Sequence, residues 1–167
     1  MSDLYTEIIV KKKTTALDQL KKWGMIAATV LAVAAALFLG LPGLILLVAM
    51  AAADYFLIPS FDVEFEYLYV NGELDVDKVM SKQKRKRIYS CDVKDLVVMA
   101  PESSHELDAY RNRQEIKKKD FSSGQPDSKP YAMVIKTEKG TDYVLFEPND
   151  TILKDMKRLS PREVFLY

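Results

Sequence analysis

The chain has 167 residues, with 24 Lys and Arg set against 24 Asp and Glu, one His and one Cys. That length holds one ordinary domain, or a smaller domain carried by a membrane anchor. Zero net charge argues against a nucleic-acid binder, a single Cys excludes a disulfide framework and any cysteine-built zinc or iron–sulfur site, and one His leaves little room for a His-based metal site.

Residues 1–23 form a basic flank, with Lys11, Lys12, Lys13, Lys21 and Lys22 against Asp3, Glu7 and Asp18. Positive charge next to an apolar run points to the cytoplasmic side. Thr15 and Asp18 stand at capping-box spacing, with Asp in place of the usual Glu, so a helix starts before the apolar run does.

From Gly24 to Ala53, 30 residues pass without a charge; Asp54 interrupts, and Tyr55 to Ile58 extend the run. A spanning helix needs about 20 apolar residues, so this stretch is long for one span and short for two. Gly40-Leu41-Pro42-Gly43 decides for two short spans, at 24–40 and 42–58, joined by a tight turn. One long kinked span is the alternative, because lipid-embedded helices tolerate Pro. Two spans return the chain to its starting side, which gives a multi-pass cell-membrane protein with both termini cytoplasmic and the lipid bilayer as its first partner.

Gly24, Ala28, Ala32, Ala36 and Gly40 recur every four residues and share a helix face. Small residues there allow close backbone approach, either within a helix pair or toward a membrane-protein partner or a homodimer. Asp54 lies about one turn from the end of the second span, at headgroup level.

Residues 61–167 read as one small β-rich domain. Phe61 to Tyr67 alternates apolar and acidic, Asn71-Gly72 is a strong hairpin-turn signal, and Glu73 to Asp77 alternates again. Further strands are expected near 86–91, 95–100 and, weakly, 114–121, with a short helical or looped insertion at 102–113. A second hairpin runs through Tyr131–Thr137 and Asp142–Glu147. Asn149 or Asp150 caps a final helix that lines up Ile152, Leu153, Met156 and Leu159. The fold class is therefore α+β: a transmembrane helical hairpin, then a small antiparallel β-barrel or curved sheet of about seven strands, closed by a C-terminal amphipathic helix.

That order of elements is similar to the pleckstrin-homology-like (PH-like) barrels of small bacterial membrane proteins. Tyr5 to Lys13, Tyr69 to Asp75, Lys86 to Lys94 and Val144 to Asn149 also resemble segments of a family of uncharacterised bacterial two-pass membrane proteins. The resemblance implies a fold and no established activity.

No catalytic, cofactor or metal set emerges. Ser103-Ser104-His105-Glu106 reads as a polar loop or helix cap, and Asp75 and Asp77 as a solvated strand face that lacks the ligand count of a calcium site. The charge pattern is more informative. Residues 54–77 hold seven acidic and no basic side chains, and residues 78–87 hold six basic and no acidic ones. Lys82, Lys84, Arg85, Lys86 and Arg87 form the candidate contact for anionic lipid or a protein partner. Each such charge near an anionic surface gains about 1 kcal/mol. The alternative is that the basic block pairs with the acidic strands. Lys117-Lys118-Lys119 could join either arrangement. The expected function is a membrane-anchored interaction module that recruits a protein partner, with anionic-lipid sensing as the second reading and no enzymatic activity or nucleic-acid binding.

Overall fold

A computed structural model describes residues 4–167. Residues 1–3, including the Asp3 of the basic flank, lie outside that range. The chain divides into two compact units, one holding residues 13–63 and 80–84, the other the remaining strand-rich segments.

The first unit is a helical hairpin of α1 (Ala16–Leu39) and α2 (Leu41–Leu57). Thr15 caps α1 as expected: its hydroxyl accepts the Asp18 N–H at 3.1 Å, and the Asp18 carboxylate accepts the Thr15 N–H at 3.2 Å. The break falls on Gly40 alone, at φ 64° and ψ −129°, a backbone conformation that an L side chain rarely adopts. Pro42 then sits in the first turn of α2, where its missing N–H leaves no bond unmade. A Cβ on Gly43 would lie 2.2 Å from the Ala35 carbonyl oxygen, so the two backbones meet there.

Ala32 is buried, Ala28 and Ala36 are half-buried, and Gly24 and Gly40 are exposed. The middle of the small-residue stripe is thus used inside the hairpin. Thr29 donates a hydrogen bond to Asp54 Oδ2 at 2.5 Å, so Asp54 faces the neighbouring helix. Outward faces stay apolar: Leu37 and Phe38 are 80% and 88% exposed. Both helices are long and apolar enough to cross a membrane.

The second unit begins with a strand inside the basic N-terminal flank, where no strand is expected from the sequence. β1 (Tyr5–Lys11) pairs antiparallel with β2 (Val63–Val70), and Val10 lies opposite Phe65. β3 (Glu73–Met80) and β4 (Lys84–Asp92) complete a four-stranded sheet in the order β1-β2-β3-β4. Asn71 and Gly72 join β2 to β3 with φ of 50° and 99°, the double positive turn expected of Asn-Gly.

The second sheet contains β5 (Leu96–Pro101), β6 (Lys117–Asp120), β7 (Tyr131–Thr137) and β8 (Gly140–Phe146), in the order β5-β7-β8-β6. The expected barrel is therefore replaced by eight strands in two open sheets among the described residues, with no closed barrel. β6 also runs parallel to β8. A long insertion with one short helix, α3 (Asp108–Arg111), precedes β6, and a loop over 121–130 follows it. Neither connection is a hairpin, so nothing forces an antiparallel neighbour.

The C-terminal helix α4 (Asp150–Leu159) starts as expected, with the Asn149 side chain accepting the Ile152 N–H at 2.9 Å. Ile152 and Met156 are fully buried, with Tyr67, Tyr69, Leu74 and Phe146 among the largest core side chains. Tyr69 donates to Asp155 Oδ2 at 2.8 Å, which ties α4 to β2. The last residues cover the outer edge of β5: Met99 N–H donates to Glu163 O, and Phe165 N–H donates to Met99 O, both at 2.7 Å.

Candidate functional site

The basic block divides. Arg85 donates to Glu66 Oε1 at 2.6 Å, and Arg87 reaches Asp75 at 2.8 Å and Asp77 at 3.2 Å. Residues two apart on a strand share a face, so both arginines of β4 lie against the acids of β2 and β3. Glu66 is nearly sealed from solvent, and burial, with Glu7 adding to it, pushes its carboxyl above the usual range. Asp75 and Asp77 are bridged by Arg87 and do not form an open carboxylate pair.

Lys84 behaves differently. Its ammonium lies 4.9 Å from the Tyr55 ring centre and 5.3 Å from that of Phe56, within cation–π range. The turn before it is fastened to the foot of α2, where Ser81 N–H donates to Asp62 O at 2.8 Å. Ser81 and Lys82 take φ of 47° and 56°, which lifts the exposed Lys82 side chain onto the tip of the turn. Lys86 is exposed as well. The five residues are thus two arginines used in ion pairs, one lysine over aromatic rings, and two lysines open to solvent.

The Ser103–Glu106 segment assembles no triad. The Ser104 hydroxyl accepts the Glu106 N–H at 3.4 Å, and His105 Nδ1 lies 3.4 Å from Asp108. The lone thiol, Cys91, is pushed up to about 12 by burial, with Asp75, Asp92 and Asp95 adding to the effect, so it is held protonated and unreactive at neutral pH.

A groove of about 370 Å³ lies between the outer strands of the two sheets, with Tyr89 and Ser90 of β4 on one wall and Lys117 and Lys119 of β6 on the other. Glu138 and Lys139, at the β7–β8 turn, and Asp142, early in β8, close one end. Both β4 and β6 are terminal strands of their sheets. Lys119 Nζ is 2.8 Å from the buried Asp142 carboxylate and 4.2 Å from the Tyr89 ring centre. Tyr89 is buried, and its hydroxyl lies against the Asp142 carboxylate without a hydrogen bond of good geometry. Burial raises this phenol well above the usual tyrosine range, with Cys91 and Asp142 adding to it.

Sequence analysis singled out Lys117–Lys119 as charge only. The groove's Tyr89 and Asp142 carried no signal, because their approach depends on a parallel pairing that no local pattern encodes.

Comparison with known families bears on the whole chain. A family model described as Bacterial PH-like domain (DUF6106) matches residues 2–166. The chain belongs to that family. No curated protein and no solved structure matches it significantly. Membership of the bacterial PH-like family fits two packed sheets closed by a C-terminal helix and supports a generic interaction role. The match includes the helical hairpin as well as the strands.

Proposed function

We propose that this bacterial PH-like domain is a membrane-held interaction module, anchored by α1 and α2, that takes an extended acidic segment of a protein partner in the groove between β4 and β6. The observation that carries this reading is the groove itself, which two terminal strands flank and which Lys117, Lys139 and the Lys119–Asp142 pair line. Terminal strands offer unpaired N–H and C=O groups to an added strand, and Lys117 and Lys139 at the rim favour acidic side chains. A photo-crosslinking residue at the exposed Ser90, in the full chain in native membranes, should trap one discrete partner band. Lys117→Glu with Lys139→Glu should abolish that band, and a band unchanged by the double reversal would sink the groove assignment.

A second reading is favoured by Lys84 over Tyr55 and Phe56. That contact, and the anchored turn, hold Lys82 and Lys84 at the foot of α2, where anionic headgroups gather around a spanning helix. Native mass spectrometry of the full chain with anionic lipid should then show retained lipid that Lys82→Gln with Lys84→Gln removes. Equal retention by the variant would refute it.

A further inference from the structure

Two four-stranded open sheets have four outer edges, and three of them are protected. The edge of β5 is covered by residues 163–165. β6 is short and reads Lys-Lys-Lys-Asp, and β4 opens with Lys-Arg-Lys-Arg. Charge and brevity guard these two edges against apolar strands and against copies of themselves, leaving them open only to an acidic segment of the kind proposed above. β1 has neither. It runs Tyr-Thr-Glu-Ile-Ile-Val-Lys without proline, and Tyr5 and Ile9 are 60% and 61% exposed.

The direction of the β1 backbone groups follows from its first bond. Leu4 O accepts from Asn71 N–H at 3.2 Å, so residue 4 faces the neighbouring strand. Antiparallel strands alternate, so Thr6, Ile8 and Val10 bond to β2, while the N–H and C=O of Tyr5, Glu7 and Ile9 point outward. A groove of about 320 Å³ is lined by Ile9, Val10 and Lys11 of this strand and by the loop carrying Ser123 and Gln125.

We propose that β1 is a homodimerisation edge: β1 of a second copy adds antiparallel to it and joins two four-stranded sheets into one of eight. The charges select the register. Outward groups must meet outward groups, so odd residues pair with odd residues. Centring the twofold axis on Glu7 sets two carboxylates directly opposite, which is repulsive. Centring it on Ile9 sets Ile9 against Ile9 and Glu7 of each copy opposite Lys11 of the other, so opposite charges meet.

The full chain in mild detergent, weighed by light scattering with the detergent mass subtracted, should contain two copies. Ile9→Pro removes an outward N–H and leaves the β1–β2 ladder intact, so it should reduce the mass to one copy with the melting temperature of the protomer kept. Ile9→Lys, a change at an exposed side chain, should do the same if the proline variant fails to fold. A single-copy mass for the parent chain over a hundredfold range of concentration overturns the proposal. So does a two-copy mass that survives Ile9→Lys, because the contact would then lie elsewhere, on the helices for example.

Discussion

Val10, six residues before α1, lies directly opposite Phe65, eight residues after α2. A strand that precedes the helical hairpin is thus sheet neighbour to the strand that follows it. If α1 and α2 cross a bilayer, residues 5–11 and 63–70 must lie on one side, which two crossings satisfy and one does not.

Topology can be checked directly. Lys13→Cys and Ser128→Cys, each in a Cys91→Ser background, should react with a membrane-impermeant maleimide from the same side of sealed vesicles. The positive-inside rule leads us to expect labelling from the cytoplasmic side. Labelling from opposite sides would remove the two-span reading.

Detaching the strand-rich unit requires keeping β1. Lys11 lies opposite Glu64, so a short turn can replace residues 12–63 and join the two strands as a hairpin. That version is expected to melt cooperatively and to exceed residues 61–167 alone by about 1.5–3 kcal/mol, the contribution of burying one side chain such as the core residue Val10. Chemical denaturation of both versions decides; equal stabilities would mean that β1 adds nothing to the fold.

Gly43 is the contact point of the hairpin. Gly43→Ala places a methyl group against the Ala35 carbonyl and should destabilise the helix pair by about 1–3 kcal/mol. Gly24→Ala meets nothing within 4 Å and serves as the control. Trp23, the only tryptophan, lies in α1 and reports both melts by fluorescence in detergent. Identical curves would show that the helices do not approach at Gly43.

Alkali should unfold the strand-rich unit abruptly. Tyr67, Tyr69 and Tyr89 have phenols held above the usual value, in each case chiefly by burial. An unfolded chain releases those protons from about pH 10, whereas the fold retains them. Stability is therefore intact below about pH 10 and falls above it, by about 1.4 kcal/mol per pH unit for each phenol and about 4 for the three together. Tyrosinate absorbance and loss of circular dichroism should rise together in an alkaline titration. Smooth ionisation of all nine tyrosines with the dichroism unchanged would contradict the burial of these three.

The parts of this molecule that are legible in the sequence are the local ones. Asn71-Gly72, the Thr15–Asp18 box, the Gly40 break and the Asn149 cap each fix backbone geometry within a few residues, and each stands where the pattern places it. What is hidden depends on distant partners. Thr6 to Val10 ends in an apolar run with no clean alternation, and its partner strand lies beyond both helices. The parallel pairing of β6 with β8 is invisible for the same reason, and with it the meeting of Tyr89, Lys119 and Asp142. The basic block could be counted but not divided, because only the facing acids of β2 and β3 reveal which cations are already engaged.

The pairing of β1 with β2 also fixes an order of events during synthesis. β1 leaves the ribosome first, yet its partner follows only after the whole helical hairpin has been made. β1 therefore waits unpaired until both helices and β2 have been made, whereas β2, β3 and β4 follow one another through short turns. For a chain whose helices enter a bilayer, a hairpin that crosses only once strands β1 on the wrong side and leaves Phe65, Tyr67 and Tyr69 with an unfinished sheet. Completion of the first sheet thus doubles as a check on correct insertion.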